Sequence, residues 1–292
     1  MKTVEDYLAW GEEQFINNNL FFGHGTDNAW DEAVALVSFV MNFAPDVDRS
    51  VLEQEVTPEQ GERIINLYEK RIFDKIPAPY LTGVAWFCGL PFRVDERVIV
   101  PRSPIGELIQ SGFQPWLTTP PATVLDLCCG SGCIGIAAGY AFPDARITLS
   151  DISPEALAVA QENVAHHEMQ GRAVAVESDG LSELVGQTFD LIVSNPPYVD
   201  ACDFAEMPEE YHREPKLALV SGDDGLDFTR NLLKHAAQFL TDDGWLFVEV
   251  GNSWQALEQS YPDVPFTWVE FEQGGHGVFC LSRDQLVRHF TG

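Results

Sequence analysis

The sequence predicts an α/β protein: a small helical domain, then a mainly parallel, doubly wound sheet that ends in an antiparallel hairpin. Three observations carry that expectation. From about residue 120, short apolar runs alternate with helix-length segments, as in βαβ units. A glycine turn, Gly130-Ser131-Gly132, follows the first of these runs and opens a helix. Near the C-terminus two further runs are joined through Gly274-Gly275, a link short enough for antiparallel neighbours.

The elements follow in order. Residues 1 to about 75 read as helices: Tyr7, Leu8, Phe15, Ile16 and Leu20 recur at helical spacing, as do Ala33, Leu36, Val37, Val40 and Met41. Thr57-Pro58-Glu59-Gln60 starts another helix, with Thr57 as N-cap, Pro58 at the first position and Gln60 closing a capping box. The proline-rich run from Ile76 to Tyr80 stops it. Trp86 to Val94 reads as a β-hairpin, and Val98-Ile99-Val100-Pro101-Arg102 leads into a larger domain. The expected strands there are Val124–Cys128, Arg146–Asp151, Ala173–Glu177, Phe189–Ser194 and Trp245–Val250, with helices starting near Gly132, Pro154 and Gly225. Phe266–Phe271 and Gly277–Leu281 form the end hairpin. The expected division is 1–76, a helical domain; 77–103, hairpin and linker; and 104–292, the sheet domain. In such a sheet the ligand sits at the carboxyl ends of the strands.

Composition narrows the class. With 45 % hydrophobic and 21 % charged residues the 292-residue chain is an ordinary globular protein. No run approaches the ~18 apolar residues that span a bilayer, so no membrane is expected, and the start Met1-Lys2-Thr3-Val4 lacks a signal-peptide pattern. The six cysteines show neither disulfide nor zinc spacing, which fits a reducing cytoplasm and no metal. Acidic residues number 45 against 17 basic, a net charge of −28. That balance repels a phosphate backbone, and the nine Lys or Arg after residue 100 are thinly scattered, so no direct DNA binding is expected. It suits a basic protein partner, although an acidic surface also serves solubility alone.

The glycine loop admits two ligands. Gly130-x-Gly132-x-x-Gly135, with Asp151 following by 21 residues, fits the dinucleotide fingerprint as well as an S-adenosylmethionine loop. Asp126 tilts the choice: a carboxylate before the loop attracts the cationic amino-acid end of S-adenosyl-L-methionine but disfavours a dinucleotide's phosphates. Asp151 is placed for ribose hydroxyls, or as a helix cap, a role Ser153 could fill. Asp179, in Ser178-Asp179-Gly180, is placed for an adenine amino group, or is a turn residue.

After the fourth strand comes Ser194-Asn195-Pro196-Pro197-Tyr198. An amide or aromatic amine is a poor nucleophile because its lone pair is delocalised. An enzyme methylating such a nitrogen must hold it in line with the methyl donor and accept its N–H hydrogens. The Asn195 side-chain oxygen and the Pro196 carbonyl are the expected acceptors. Pro197 stiffens the backbone between them, and Tyr198 offers a flat face.

An Asp-x-x-x-Gly-x-Gly loop followed by Asn-Pro-Pro-Tyr resembles the amino-methyltransferases, which include DNA adenine-N6 and cytosine-N4 enzymes and protein glutamine-N5 enzymes. Pro79-Tyr80-Leu81-Thr82-Gly83, Phe87, Phe92 and the run Val98 to Arg102 resemble the protein glutamine N5-methyltransferase family. Within it, release-factor enzymes carry Pro-Arg-Pro-Asp-Thr-Glu after the linker, where this chain has Pro101-Arg102-Ser103-Pro104-Ile105-Gly106-Glu107. That segment, with Phe22 to Asp31 and Gly274 to Phe279, is similar to the branch acting on a large-subunit ribosomal protein. The resemblance spans nearly the whole chain and implies several expectations. The fold is a Rossmann-like S-adenosylmethionine methyltransferase sheet behind a helical substrate-recognition domain. The reaction is methyl transfer to a glutamine amide of a ribosomal protein, before its assembly. Alternatives are the GGQ glutamine of release factors and, more distantly, a nucleic-acid amine. It also implies cofactor contacts from Cys128, Cys129, Gly130, Ser131 and Gly132, with Asp151, Asp179 and Asn195, and acceptor contacts from Asn195 to Tyr198. The family often has a bulky aromatic after the Asp179 position; here it is Gly180. Finally, Asp200 to Glu214 carries six carboxylates and one arginine beside the expected site, placed to receive basic residues flanking the target. A solvated loop would have the same composition.

Overall fold

The computed structural model describes residues 1–44 and 46–290. Its N-terminal part is a helical layer in which local capping signals decide where each helix starts. α1 (Val4–Asn17) begins with a capping box between Thr3 and Asp6, α2 (Ala29–Met41) with Asn28 as N-cap, and α3 (Pro58–Phe73) with the expected Thr57–Gln60 box. A short α4 (Ala78–Thr82) follows the proline run. Phe15, Leu36, Ile64 and Tyr68 meet in the core of this layer, and Ala78 joins them, so the helical packing runs past residue 76. Ile16, placed by its spacing on the apolar face, is 59 % exposed instead.

β1 (Val84–Phe87) and β2 (Leu90–Arg93) make the expected hairpin, turned by Cys88 and Gly89 at φ of 51° and 75°. It is docked rather than free. Phe87 and Phe92 enter the core of the larger domain, and Asn163 bonds both the N–H and the carbonyl of Arg93.

The larger domain runs α5 (Ile105–Gln110), β3 (Thr123–Leu127), α6 (Cys133–Ala141), β4 (Arg146–Asp151), α7 (Pro154–His166), β5 (Ala173–Glu177), β6 (Phe189–Ser194), α8 (Ala201–Glu206), α9 (Asp227–His235), β7 (Leu240–Glu249), α10 (Trp254–Ser260), β8 (Thr267–Trp268), β9 (Val278–Ser282) and α11 (Arg283–Phe290). The seven strands are ordered β5-β4-β3-β6-β7-β9-β8, parallel up to β7 and antiparallel beyond it. Apolar cores lie on both faces, as buried parallel strands require. Three expectations need correction. β7 begins at Leu240 rather than Trp245 and ends at Glu249. β3 stops at Leu127, because Cys128 turns to a φ of 61°. The end hairpin is not tight: β8 has two residues, and a long connection precedes β9. Glu107 of α5 accepts the Glu272 and Gln273 N–H groups at 2.9 and 3.1 Å, tying that connection to α5.

Candidate active site

The chain leaves β3 in opposite directions, to β4 and β5 on one side and to β6 and β7 on the other, which opens a crevice at the strand ends. Leu127 and Ser194 are register partners at those ends. The glycine loop and the Asn195 loop therefore leave the sheet side by side.

A cavity of about 230 Å³ lies over the glycine loop, walled by Cys128, Gly130, Ser150, Asp151, Asp179 and Asn195 among others. Cys128, Gly130 and Gly132 hold φ of 61°, 51° and 78°, so the backbone turns sharply there. Asp151 bridges the turn: its oxygens accept the Gly130 and Ser153 N–H groups at 2.9 Å each. Ser153, not Asp151, caps α7. Burial pushes the Asp151 carboxyl up, against the pull of those N–H groups. The Ser150 hydroxyl is buried at the cavity wall with no protein partner among the described residues, and the exposed Asp179 carboxylate is equally untaken. A cavity with carboxylates, a spare hydroxyl and an apolar floor fits a ligand carrying a cation, sugar hydroxyls and a purine.

The other predicted members of the loop stand behind it. Asp126 is fully buried and outside the cavity wall. Its Oδ2 accepts the Gly135 N–H at 2.7 Å, Oδ1 has no partner among the described residues, and burial lifts its carboxyl to about 7 despite that N–H. It anchors the first turn of α6. Cys129 donates its N–H to the Ser150 carbonyl, and the Ser131 carbonyl accepts from Asn163; both are buried. Gly132 begins α6, where a side chain would press on Leu149. Of the loop, Cys128 and Gly130 line the cavity.

Gly180 has a φ of 56°, and a Cβ there would meet the Phe228 ring at 3.9 Å. Phe228, from α9, lines the same cavity. The aromatic wall that Gly180 cannot supply comes from a helix 48 positions along the chain.

A second cavity, of about 300 Å³, is walled by Asn195, Pro196, Tyr198, Arg102, Tyr211 and Glu249 among others. It shares Asn195, Ile99 and Ala218 with the first. Neither the Asn195 carboxamide nor the Pro196 carbonyl is taken by a hydrogen bond from the described residues. Pro197 faces the first cavity. Tyr198 is fixed at several points: its hydroxyl donates to Glu249 Oε1 at 2.9 Å, and its carbonyl accepts from Ser253 at 3.0 Å. A side chain on Gly251 would come within 2.6 Å of its ring. Glu249 Oε2 also accepts from Ser103 at 2.6 Å, and burial raises the Glu249 carboxyl to about 7. Of the residues not anticipated, Glu249 alone left a signal: a carboxylate closing an apolar strand. Arg102 stood in the linker motif without a role assigned to it, and Tyr211 and Phe228 left no signal.

The acidic segment is only partly free. Glu210 and Glu214 are buried, 3 % and 4 % exposed, and are paired with Arg71 and Arg102. Asp200 caps α8. Only Asp203, Glu206 and Glu209 remain as exposed, uncommitted carboxylates, so the expected acidic face is smaller than the composition suggests.

Residues 114–210 match the methyltransferase small domain family. Among solved structures, the hMettl16 catalytic domain in complex with the MAT2A 3′UTR hairpin 1 superposes with a TM-score of 0.53 at 14 % identity, covering 84 % of this chain and 90 % of that one. That likeness is one of fold. Two relatives are much closer in sequence. The ribosomal protein uL3 glutamine methyltransferase of Francisella tularensis subsp. tularensis is 49 % identical over 99 % of this chain and 93 % of its own length. Its counterpart from Neisseria gonorrhoeae is 45 % identical over 98 % and 96 %. At that identity and coverage, this chain belongs to the ribosomal protein uL3 glutamine methyltransferase family.

Proposed function

We propose that this chain transfers a methyl group from S-adenosylmethionine to the side-chain amide nitrogen of a glutamine in ribosomal protein uL3, forming N5-methylglutamine. The observation that carries the reading is the meeting of two cavities at one unpaired carboxamide, Asn195. The names of the two relatives supply the acceptor.

S-adenosylmethionine, when bound, supplies an electrophilic methyl on a cationic sulfur. The chain's own residues do the rest. Cys128 and Gly130 present the turn; the Asp151 carboxylate and the Ser150 hydroxyl would hold ribose hydroxyls, Asp179 would take the exocyclic amine and Phe228 would cover the purine. Asp126, behind the loop, keeps α6 in register with it. On the acceptor side, the Asn195 oxygen and the Pro196 carbonyl accept the two amide hydrogens, which fixes the nitrogen and returns electron density to its lone pair. Pro197 limits backbone freedom between them, and Tyr198 supplies a flat wall. In the transfer the new N–C bond would replace the methyl–sulfur bond, whose electrons would stay on sulfur, while the Asn195 and Pro196 oxygens hold the nitrogen. The protonated amide, strongly acidic, releases its extra proton to water. The acidic surface suits a basic ribosomal protein met in the cytoplasm before assembly.

The test offers tritiated S-adenosylmethionine to uL3, a release factor and DNA in parallel, with Asn195→Ala as control. Label in a uL3 glutamine, reduced at least about 10²-fold by Asn195→Ala, is expected. Label in DNA alone would reverse the assignment.

A further inference from the structure

The segment 207–214 runs beside the acceptor cavity and is pinned by two buried carboxylates, one at its middle and one at its end. Glu210 Oε1 accepts from Arg71 Nη1 at 3.0 Å and from the Phe21 N–H at 3.1 Å. Glu214 accepts from Arg102 at 2.6 and 2.5 Å and from the Val100 N–H at 2.8 Å. Arg71 belongs to α3 and is 1 % exposed; it also holds Glu32 of α2 and the Phe21 carbonyl, at 2.5 and 2.7 Å. One pin therefore lies in the helical domain and the other in the linker.

Between the pins stands Tyr211, on the wall of the cavity that holds Asn195 and Tyr198. Its ring centroid is 4.6 Å from that of His24 and 5.6 Å from that of Phe21, and the Arg102 guanidinium sits 5.2 Å from it. Gly23 permits this approach: a Cβ there would lie 3.2 Å from the Tyr211 hydroxyl. Burying an arginine with two carboxylates is costly, and such arrangements fix geometry more surely than they add stability. What they fix here is an aromatic face, stiff and flat, on a cavity that must hold a planar amide.

We propose that Tyr211 is a binding wall for the glutamine-bearing segment of the acceptor, and that Phe21 and His24 of the helical domain are the residues that position it. This rests on reading the site as a protein-glutamine methyltransferase. The helical domain then shapes acceptor specificity from inside the cavity.

Steady-state transfer to uL3 tests it. Tyr211→Ala is expected to raise KM for uL3 about tenfold, the upper range of a lost aromatic contact. Tyr211→Phe should stay within about twofold, the ring being what matters. Calorimetric affinity for S-adenosylhomocysteine should be unchanged in both. Phe21→Ala should reproduce part of the KM rise alone and add nothing to Tyr211→Ala. An unchanged KM in Tyr211→Ala, or an additive Phe21→Ala, overturns the proposal. If the parent labels a protein other than uL3, the same series run on that acceptor separates a wrong acceptor from a wrong wall. Independently of turnover, hydrogen exchange over 207–214 in the free protein should quicken in Phe21→Ala; unchanged exchange removes the positioning role.

Discussion

Glu249 is a single buried side chain on which the acceptor wall depends. Burial lifts its carboxyl to about 7, although the Ser103 and Tyr198 hydroxyls and the Arg102 guanidinium pull it down. As a carboxylate it accepts from both hydroxyls; as the neutral acid it carries a proton of its own and must release one of them. With the proton on Oε1, to which Tyr198 donates, the tether of Tyr198 is the one that breaks; in either case it weakens, because a charge-assisted bond becomes a neutral one. We therefore expect kcat to fall as pH drops below about 7, and Glu249→Gln to flatten that limb while slowing turnover up to about 10²-fold through misplacement of Tyr198. Calorimetry should show S-adenosylhomocysteine binding intact. A limb that survives in Glu249→Gln would assign the titration to another group. At this scale the sequence exposes what is contiguous. Asn195 to Tyr198 are contiguous and leave one strand end together, so they could be read as a unit. Tyr211, Phe228 and Glu249 reach the cavities from three separate elements, and only the folded sheet brings them there.

The elements that could be read in advance are those started by local signals. Thr57 and Ser153 act within a few residues of themselves, so the helix starts at Pro58 and Pro154 follow from the chain alone. The hairpin is legible as an element but begins at Val84 rather than Trp86. The segment 207–214 is the opposite case. Its carboxylates read as solvated, yet Glu214 lies 112 positions from the arginine that buries it. Burial would raise the Glu214 carboxyl, but the Arg102 hydrogen bonds, aided by His24, hold it at about 2. Its folded pKa is thus below the unfolded value of about 4.5. The stabilisation is present above that value and is lost as pH falls from about 4.5 towards about 2. Glu214→Gln should cost about 3 kcal/mol at neutral pH, because Arg102 keeps its charge without its partner. In urea titrations the gap between parent and variant should close as pH drops through that window. A gap that stays constant would show that the pair does not titrate with folding.

Across the whole molecule, the net charge of −28 is spread unevenly between committed and free carboxylates. Glu32, Glu210 and Glu214 are buried, paired with the buried Arg71 and the part-exposed Arg102, and contribute structure. Asp203, Glu206 and Glu209 are exposed beside the acceptor cavity, and Asp203 lines it. Field lines from these three converge where the acceptor enters, so they can speed encounter with a basic protein without touching the chemistry. Neutralising Glu210 along with them would confuse the two roles, since its partner Arg71 would be left buried. The informative variant is Asp203→Asn, Glu206→Gln and Glu209→Gln with Glu210 intact. Stopped-flow association with uL3 at low salt should slow about tenfold, and its dependence on ionic strength should flatten, with kcat at saturating acceptor unchanged. If association and its salt slope match the parent, the free carboxylates serve solubility, and recognition of the basic partner belongs to the cavity wall and the helical domain.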